Sequence, residues 1–401
     1  MTTFNIGLFG FGCVGEGFYQ IAREDRKVDI NFKKIIIKNL QKQRSAPPEL
    51  FSDNPDDIFN DEEIDLVVEL INGTEEAFEI VSAAIKKRIP VVSANKKMLA
   101  VYFTELKELV DEYETPILYE GAVCGAIPIL RTIDQYFQYD QITQVEGIFN
   151  GTTNYILTQQ FEENRNFDET LKSAQELGFA ELDASSDVDA FDPKYKLKIV
   201  AAHAFGLNVP ESEILNLGIR NIHEKDIAYA RNKGLKYRLL ARAIRKEDQV
   251  SLFVLPALTK QADTAYTIDN ENNFVSLSTK YADNHLLVGK GAGSLPTGAA
   301  VYSDAVSILN SKNSYRIPNS AELEFTNDAS IEIFVSSAHS ESINQVVLDE
   351  EYQVFESANY FYKIGKITLD KLIASAKSDV FIGMISENVE FEIPEKSLAT
   401  T

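Results

Sequence analysis

The chain has 401 residues, a length that points to two or three domains of roughly 100 to 200 residues each and not to a single core. Hydrophobic residues make up 44% and charged residues 25%, the balance of a folded globular protein, which argues against a disordered one. Asp and Glu outnumber Lys and Arg by 61 to 39, giving a formal charge of −22; such a surface repels a phosphate backbone, so nucleic acid is not an expected partner.

No apolar run approaches the roughly 18 residues of a membrane-spanning helix, and the opening MTTFNIGLFG lacks the basic stretch of a signal peptide. A cytoplasmic protein with no membrane partner is expected. Cys13 and Cys124 are the two cysteines, too few for a disulfide framework, though not for a single bridge. His203, His223, His285 and His339 are scattered and form none of the close pairs of a zinc site.

The segment Phe4 to Phe11 is a short apolar run, the pattern of a strand buried on both faces, and it leads directly into glycines. Similar runs follow at Phe32 to Ile37, Ile64 to Ile71 and Ile89 to Val92, with helical stretches such as Ala77 to Lys87 between the later ones. This alternation predicts a doubly wound parallel sheet. After about Arg131 the texture is α+β: strands at Gln144 to Phe149, Val250 to Pro256 and Phe274 to Thr279, and long helical stretches at Tyr195 to Phe205 and Asp226 to Ile244. Gly289 to Leu309 is glycine-rich and passes into an apolar helix whose small residues are expected to pack where domains or subunits meet. Beyond Pro318, strands at Ile331 to Val335 and Val380 to Ile385 and a helix at Leu369 to Ala376 read as a small lobe.

Gly10-Phe11-Gly12-Cys13-Val14-Gly15 sits between the first strand and a helical stretch, Glu16 to Arg23. Gly10 permits the turn, Gly12 lets backbone approach a pyrophosphate and Gly15 lets helix and strand pack closely, with the phosphates at the positive end of the helix. A dinucleotide site of the Rossmann type follows. Where an NAD site carries an acidic residue to hold the ribose 2′-hydroxyl, this chain reads Ile37-Lys38-Asn39-Leu40-Gln41-Lys42-Gln43-Arg44. With no carboxylate there, the cations Lys38, Lys42 and Arg44 favour the 2′-phosphate of NADP over NAD; the other reading makes them solvated loop charges.

Hydride transfer needs a group that handles charge or a proton at the substrate oxygen. Lys96, in Ser93-Ala94-Asn95-Lys96-Lys97, follows a strand end, where open sheets bind ligands. Lys196 lies in a denser passage, with Glu181, Asp183, Asp187, Asp189 and Asp192 ahead of it. Asp192 and Lys196 share a helix face if the helix begins before Asp192; Pro193 admits the other arrangement, with Asp192 as an N-cap. Several carboxylates converging in a cleft suit a substrate ammonium, while each taken alone is equally a cap or a solvated charge.

Several passages together resemble homoserine dehydrogenase: Gly10 to Gly17; VVELING, Val67 to Gly73, with Ala94-Asn95-Lys96; Glu120 to Ile129 with Gly147-Ile148-Phe149-Asn150-Gly151-Thr152-Thr153-Asn154-Tyr155; Gly178 to Val200; and Gly291 to Val306. The resemblance spans about residues 1 to 318. It implies an NAD(P)-dependent oxidoreductase that interconverts L-homoserine and L-aspartate 4-semialdehyde in threonine and methionine biosynthesis. The implied α/β architecture is a nucleotide domain over 1–131, an α+β substrate and dimerisation domain over 132–290, a return segment over 291–318 and an accessory region over 319–401. Lys196, Lys96 and Asp192 match the family's active-site residues, with Lys196 either a general acid/base or a stabiliser of the alkoxide. Glu181 and Asp187 match the residues that hold the substrate ammonium, and Gly151 and Thr152 stand by the substrate. Gly10, Gly12, Cys13, Val14, Gly15, Lys38, Arg44, Asn72, Gly73 and Asn95 are the matching cofactor positions; Asn72 departs from the family's usual glycine. Glu120, Val123, Gly125 and Ile127 match a monovalent-cation loop for Na+ or K+, which can equally be a structural turn. The tail after Pro318 lacks the glycine-centred pattern of the family's regulatory domain, so threonine inhibition is not implied. The implied assembly is a homodimer acting on a small amino acid. The alternatives are a related dehydrogenase of another small amino- or hydroxy-acid, and a dinucleotide sensor without catalysis.

Overall fold

The computed structural model describes residues 3–24, 28–311, 314–315, 323–375 and 379–391. The chain divides into two compact units, Met1–Ile142 with Tyr195–Glu211 and Asn272–Ser320, and Thr143–Lys194 with Ser212–Glu271 and Ala321–Thr401. These units cut the chain differently from the four consecutive segments read from the sequence. No helix among the described residues is long and apolar enough to cross a membrane.

In the first unit, a parallel sheet is built from β1 (Thr3–Phe9), β2 (Asp29–Ile36), β3 (Phe51–Ser52), β4 (Leu66–Glu69), β5 (Val91–Ser93) and β6 (Ile117–Leu118). The order β3-β2-β1-β4-β5-β6 is that of a doubly wound nucleotide-binding sheet, as the alternating pattern predicted. Every residue of β4 and β5 is buried, which is why these strands are unbroken apolar runs in the sequence. Ile6 and Leu8 of β1 pack with Phe18, Phe32, Ile35, Val68 and Val92 into one core. Register aligns Phe9 with Glu69 and Glu69 with Ser93, so the strand ends that face the nucleotide loop lie side by side.

The expected glycine-rich helix runs Ser294–Ser311 and adds Val301, Ala305 and Ile308 to this core. Its small residues are used inside the unit, against the helix Cys13–Glu24. A Cβ on Gly298 would lie 2.6 Å from the Phe18 nitrogen, and one on Gly17 would lie 2.2 Å from the Ser294 carbonyl oxygen. The Ser294 hydroxyl donates to the Cys13 carbonyl at 2.7 Å, tying the two helices at the nucleotide loop.

In the second unit, a mixed sheet contains Ile142–Ile148, Lys236–Lys246, Gln249–Thr259, Phe381–Glu390, Ser330–Ser337, Tyr360–Thr368 and Glu350–Ser357, in that spatial order. The helical stretch expected over Asp226 to Ile244 is corrected here. A helix occupies Glu224–Asn232, Gly234 takes a left-handed φ of +70°, and Lys236–Lys246 is a strand paired antiparallel with Gln249–Thr259. Its first eight residues are all buried, and a strand buried on both faces loses the alternation that would tell it from a buried helix. Beyond residue 329, the described elements run strand, helix (Ser340–Gln345), two strands, helix (Leu369–Ser375), strand, a ferredoxin-like βαββαβ lobe.

The helix contact makes a stability prediction. Gly17→Val forces side-chain atoms onto the Ser294 backbone and should lower unfolding free energy by about 1–3 kcal/mol, read from urea midpoints.

Candidate active site

The first unit assembles the nucleotide end of the site. Gly10 has φ +93° and a Cβ there would strike the Leu70 carbonyl oxygen at 2.6 Å; on Gly15 it would strike the Gly10 carbonyl oxygen at 2.5 Å. Gly12 is different: a Cβ there meets nothing within 4 Å. That open face is the space a pyrophosphate needs, above Cys13, Val14 and Gly15 in the first turn of Cys13–Glu24, whose N–H groups have no carbonyl a turn earlier to receive them. The residues fit a dinucleotide. Cys13 is exposed and Cys124 buried, and the two form no disulfide.

Lys38 lies two residues beyond β2 and ion-pairs with Glu76 at 2.6 Å. Arg44 donates to the carbonyls of Asn39 (2.8 Å) and Lys42 (2.7 Å) and lies over the Phe51 ring, so it closes the loop that follows β2.

Asn72 is exposed, and Gly73 is the N-cap of Thr74–Lys86. Asn95 is buried and caps Lys96–Val101, its side-chain oxygen accepting from Met98 N–H at 3.0 Å. Its amide donates to the carbonyls of Ile71 (3.0 Å) and Gly73 (2.9 Å). Lys96 is thereby the first helical residue above a fixed loop. Glu69, assigned no role in the sequence, anchors the same loop: its carboxylate accepts Ile71 N–H at 2.7 Å and the Ser93 hydroxyl at 2.6 Å. Burial pushes Glu69 up to about 7.

Glu120 opens a tight turn in which Cys124 and Gly125 take φ of +52° and +54°. Its carboxylate accepts Leu130 N–H and Arg131 N–H, both at 2.8 Å, at the start of helix Ile129–Gln135. Burial, then the charge of Asp304, pushes Glu120 up to about 7. A cation on this loop would therefore draw chiefly on main-chain oxygens of Glu120, Val123, Gly125 and Ile127. Gly125 is required, since a Cβ would lie 2.7 Å from Gly291 backbone. Among the described residues, no group of three or more His, Cys, Asp and Glu is arranged to hold a metal ion. His203 is buried against the Tyr119 hydroxyl, 2.9 Å away, and desolvation pushes it down to about 3.

In the second unit, the organiser is Asn150, a residue that had been quoted only as part of its motif. It caps the helix Gly151–Glu163 through Thr153 N–H, and its amide donates to Asp187 at 2.6 Å and to Asp192 at 2.8 Å. Thr152 donates to the Phe179 carbonyl at 2.6 Å, which ties Gly151 and Thr152 to the start of the acidic passage. The other carboxylates differ. Asp189 is taken by Arg220 in a two-bond pair (2.8 and 2.7 Å), and Asp183 by Ser185. Glu181 is exposed.

The helix that carries Asp192 and Lys196 runs Phe191–Phe205 and contributes residues to both units. It begins before Asp192, so Asp192 is inside the first turn and not its cap, and Lys196 lies one turn further along the same face. Asp192 is 2% and Lys196 7% exposed.

The family model described as homoserine dehydrogenase, NAD binding domain, matches residues 10–120, and that described as homoserine dehydrogenase matches residues 128–306. The homoserine dehydrogenase of Bacillus subtilis is 34% identical over 318 residues, covering 77% of this chain and 73% of that protein. That of Helicobacter pylori is 36% identical over 317 residues, covering 77% and 75%. The crystal structure of a homoserine dehydrogenase from Thiobacillus denitrificans superposes with a TM-score of 0.84 at 27% identity, over 96% of this chain and 98% of that one. A nucleotide-binding sheet, an Asn-clamped pair of carboxylates and a buried lysine one helical turn from one of them thus occur in a chain that belongs to the homoserine dehydrogenase family.

Proposed function

We propose that this chain interconverts L-homoserine and L-aspartate 4-semialdehyde with a nicotinamide dinucleotide, using Lys196 and Lys96 at the reacting oxygen. The observation that carries this reading is the placement of Asp192 and Lys196 one turn apart on one helix, both nearly removed from water. The dinucleotide supplies the hydride acceptor and donor. Lys196 acts on the substrate hydroxyl as a proton acceptor, or as a fixed positive charge beside the developing alkoxide. Asp192 orients Lys196 and is itself oriented by Asn150. Asp187, held by the same amide, and Glu181 receive the substrate ammonium, while Gly151 and Thr152 bound the substrate's backbone end.

The cofactor preference in this reading is NADP, favoured by the cations Lys38 and Arg44 in the loop after β2 and by the lack of a carboxylate within 37–44; a 2′-phosphate there competes with Glu76 for Lys38. A monovalent cation, Na+ or K+, on the main chain of Glu120, Val123, Gly125 and Ile127 is part of the same reading, supported by the left-handed turn at Cys124 and Gly125. So are a homodimer, to be checked by sedimentation, and a cytoplasmic setting.

Absorbance assays with homoserine and each dinucleotide test the reaction; the absence of turnover with either would remove this reading, and turnover only with another hydroxy-acid would select a related dehydrogenase. Lys196→Ala should lower kcat by at least about a hundredfold, and activity within a few-fold of wild type would show that another residue carries the step. Removing Lys38 and Arg44 together should weaken NADPH by about tenfold or more, the scale of lost hydrogen bonds to a charged group, with NADH little changed. Equal effects on both dinucleotides would refute the 2′-phosphate assignment.

A further inference from the structure

Around Lys96 the hydrogen bonds form a closed circuit. Glu69 accepts Ile71 N–H and the Ser93 hydroxyl; Ser93 Oγ accepts Asn95 N–H at 3.1 Å; the Asn95 amide donates back to the Ile71 and Gly73 carbonyls and its oxygen caps the helix that Lys96 opens. Glu69, Ser93 and Asn95 are 0%, 0% and 8% exposed. Both Glu69 oxygens accept, the Ser93 hydroxyl donates once and accepts once, and each Asn95 side-chain atom is engaged, so with Glu69 ionised every donor in the circuit is met.

We propose that Glu69 is a positioning residue for catalysis: through Ser93 and Asn95 its carboxylate fixes the 71–73 loop and the helical start from which Lys96 projects. This rests on the reading of Lys96 given above.

The circuit depends on the charge state of Glu69. Ile71 N–H can only donate, and Ser93 Oγ already accepts from Asn95, leaving its proton for Glu69. A proton on Glu69 would oppose one of these two donors. The ionised carboxylate therefore accepts from both donors, whereas in the acid one donor loses its acceptor: Ile71 N–H, or the Ser93 hydroxyl, which must turn to accept from Glu69 instead. Burial places the transition near 7, with Glu76, on Thr74–Lys86 and paired to Lys38, the charged neighbour that adds to the rise. The sign follows: the loop is held above about pH 7 and loosens below it.

Steady-state kinetics of wild type, Glu69→Gln, Ser93→Ala and Lys96→Ala from about pH 6 to about pH 9 test this. Wild-type kcat should show an acid limb near pH 7. Glu69→Gln keeps the shape but puts an amide N–H where an acceptor is needed; it should be lower by about tenfold at high pH and lack the limb, with the homoserine KM within about twofold. Ser93→Ala breaks the same circuit by removing one donor to Glu69 while leaving the carboxylate in place, and should lower kcat at constant KM, which keeps the test open if the glutamine variant fails to fold. Wild-type kcat with the limb intact in either variant would overturn the inference, even if the melting temperature falls. Lys96→Ala separates the two ideas: an inactive Lys96→Ala beside a wild-type-like Glu69→Gln overturns only the positioning role, whereas an active Lys96→Ala removes the reading on which it rests.

Discussion

A carboxylate taken out of water must be given hydrogen-bond donors, and that constraint organises both units of this protein. Glu69 is met by Ile71 N–H and Ser93, Glu120 by Leu130 and Arg131 N–H, Asp304 by Glu120 N–H and Arg131, and Asp187 and Asp192 by the amide of Asn150. In the lobe after residue 329, Tyr360 does the same for Asp226. Each of these acids, Asp187 half-buried and the others buried, thus ties its own segment to another that is 10 to 184 residues away. In an acidic protein this converts part of an unfavourable excess charge into joints.

The joints fall where chemistry needs rigidity. Glu69 lies at the end of β4, next to the glycine turn whose Gly10 approaches Leu70 within a distance that admits no side chain. The nucleotide loop, the 71–73 loop and the helix start at Lys96 are consequently held at one edge of the sheet by backbone contact and by the Glu69 circuit. Asn150 does the equivalent work in the other unit, where one amide orients the carboxylates of Asp187 and Asp192. Enzymes gain rate by holding such groups before the substrate arrives, and the cost of ordering them is met in folding.

Much of this was legible in the sequence. Strands β1, β2, β4 and β5 are short apolar runs because a parallel sheet buries both faces, and the glycine turn stands directly after the first of them. The lysines and the acidic passage stood out by type and density. Other features were hidden for physical reasons. Lys236–Lys246 reads as a helix because a fully buried strand has no alternation. Glu350–Ser357 and Tyr360–Thr368 went unread; the first is exposed at nearly every position, so neither of its faces carries an apolar stripe. Asn150 and Glu69 stood inside recognised motifs, but their individual roles were hidden, since these lie in partners 37 to 42 and 24 residues away.

The sequence alone determined the class of sheet, the place of the dinucleotide and the residue types available for handling a proton, because these depend on local periodicity and on turns that only glycine can make. Tertiary structure alone decided how each acid is held. Asp189 and Asp192 are three residues apart and chemically identical, yet one is held by Arg220 near the surface and the other by Asn150 in the interior. That difference is one of neighbours brought from elsewhere in the chain, and no local pattern encodes it.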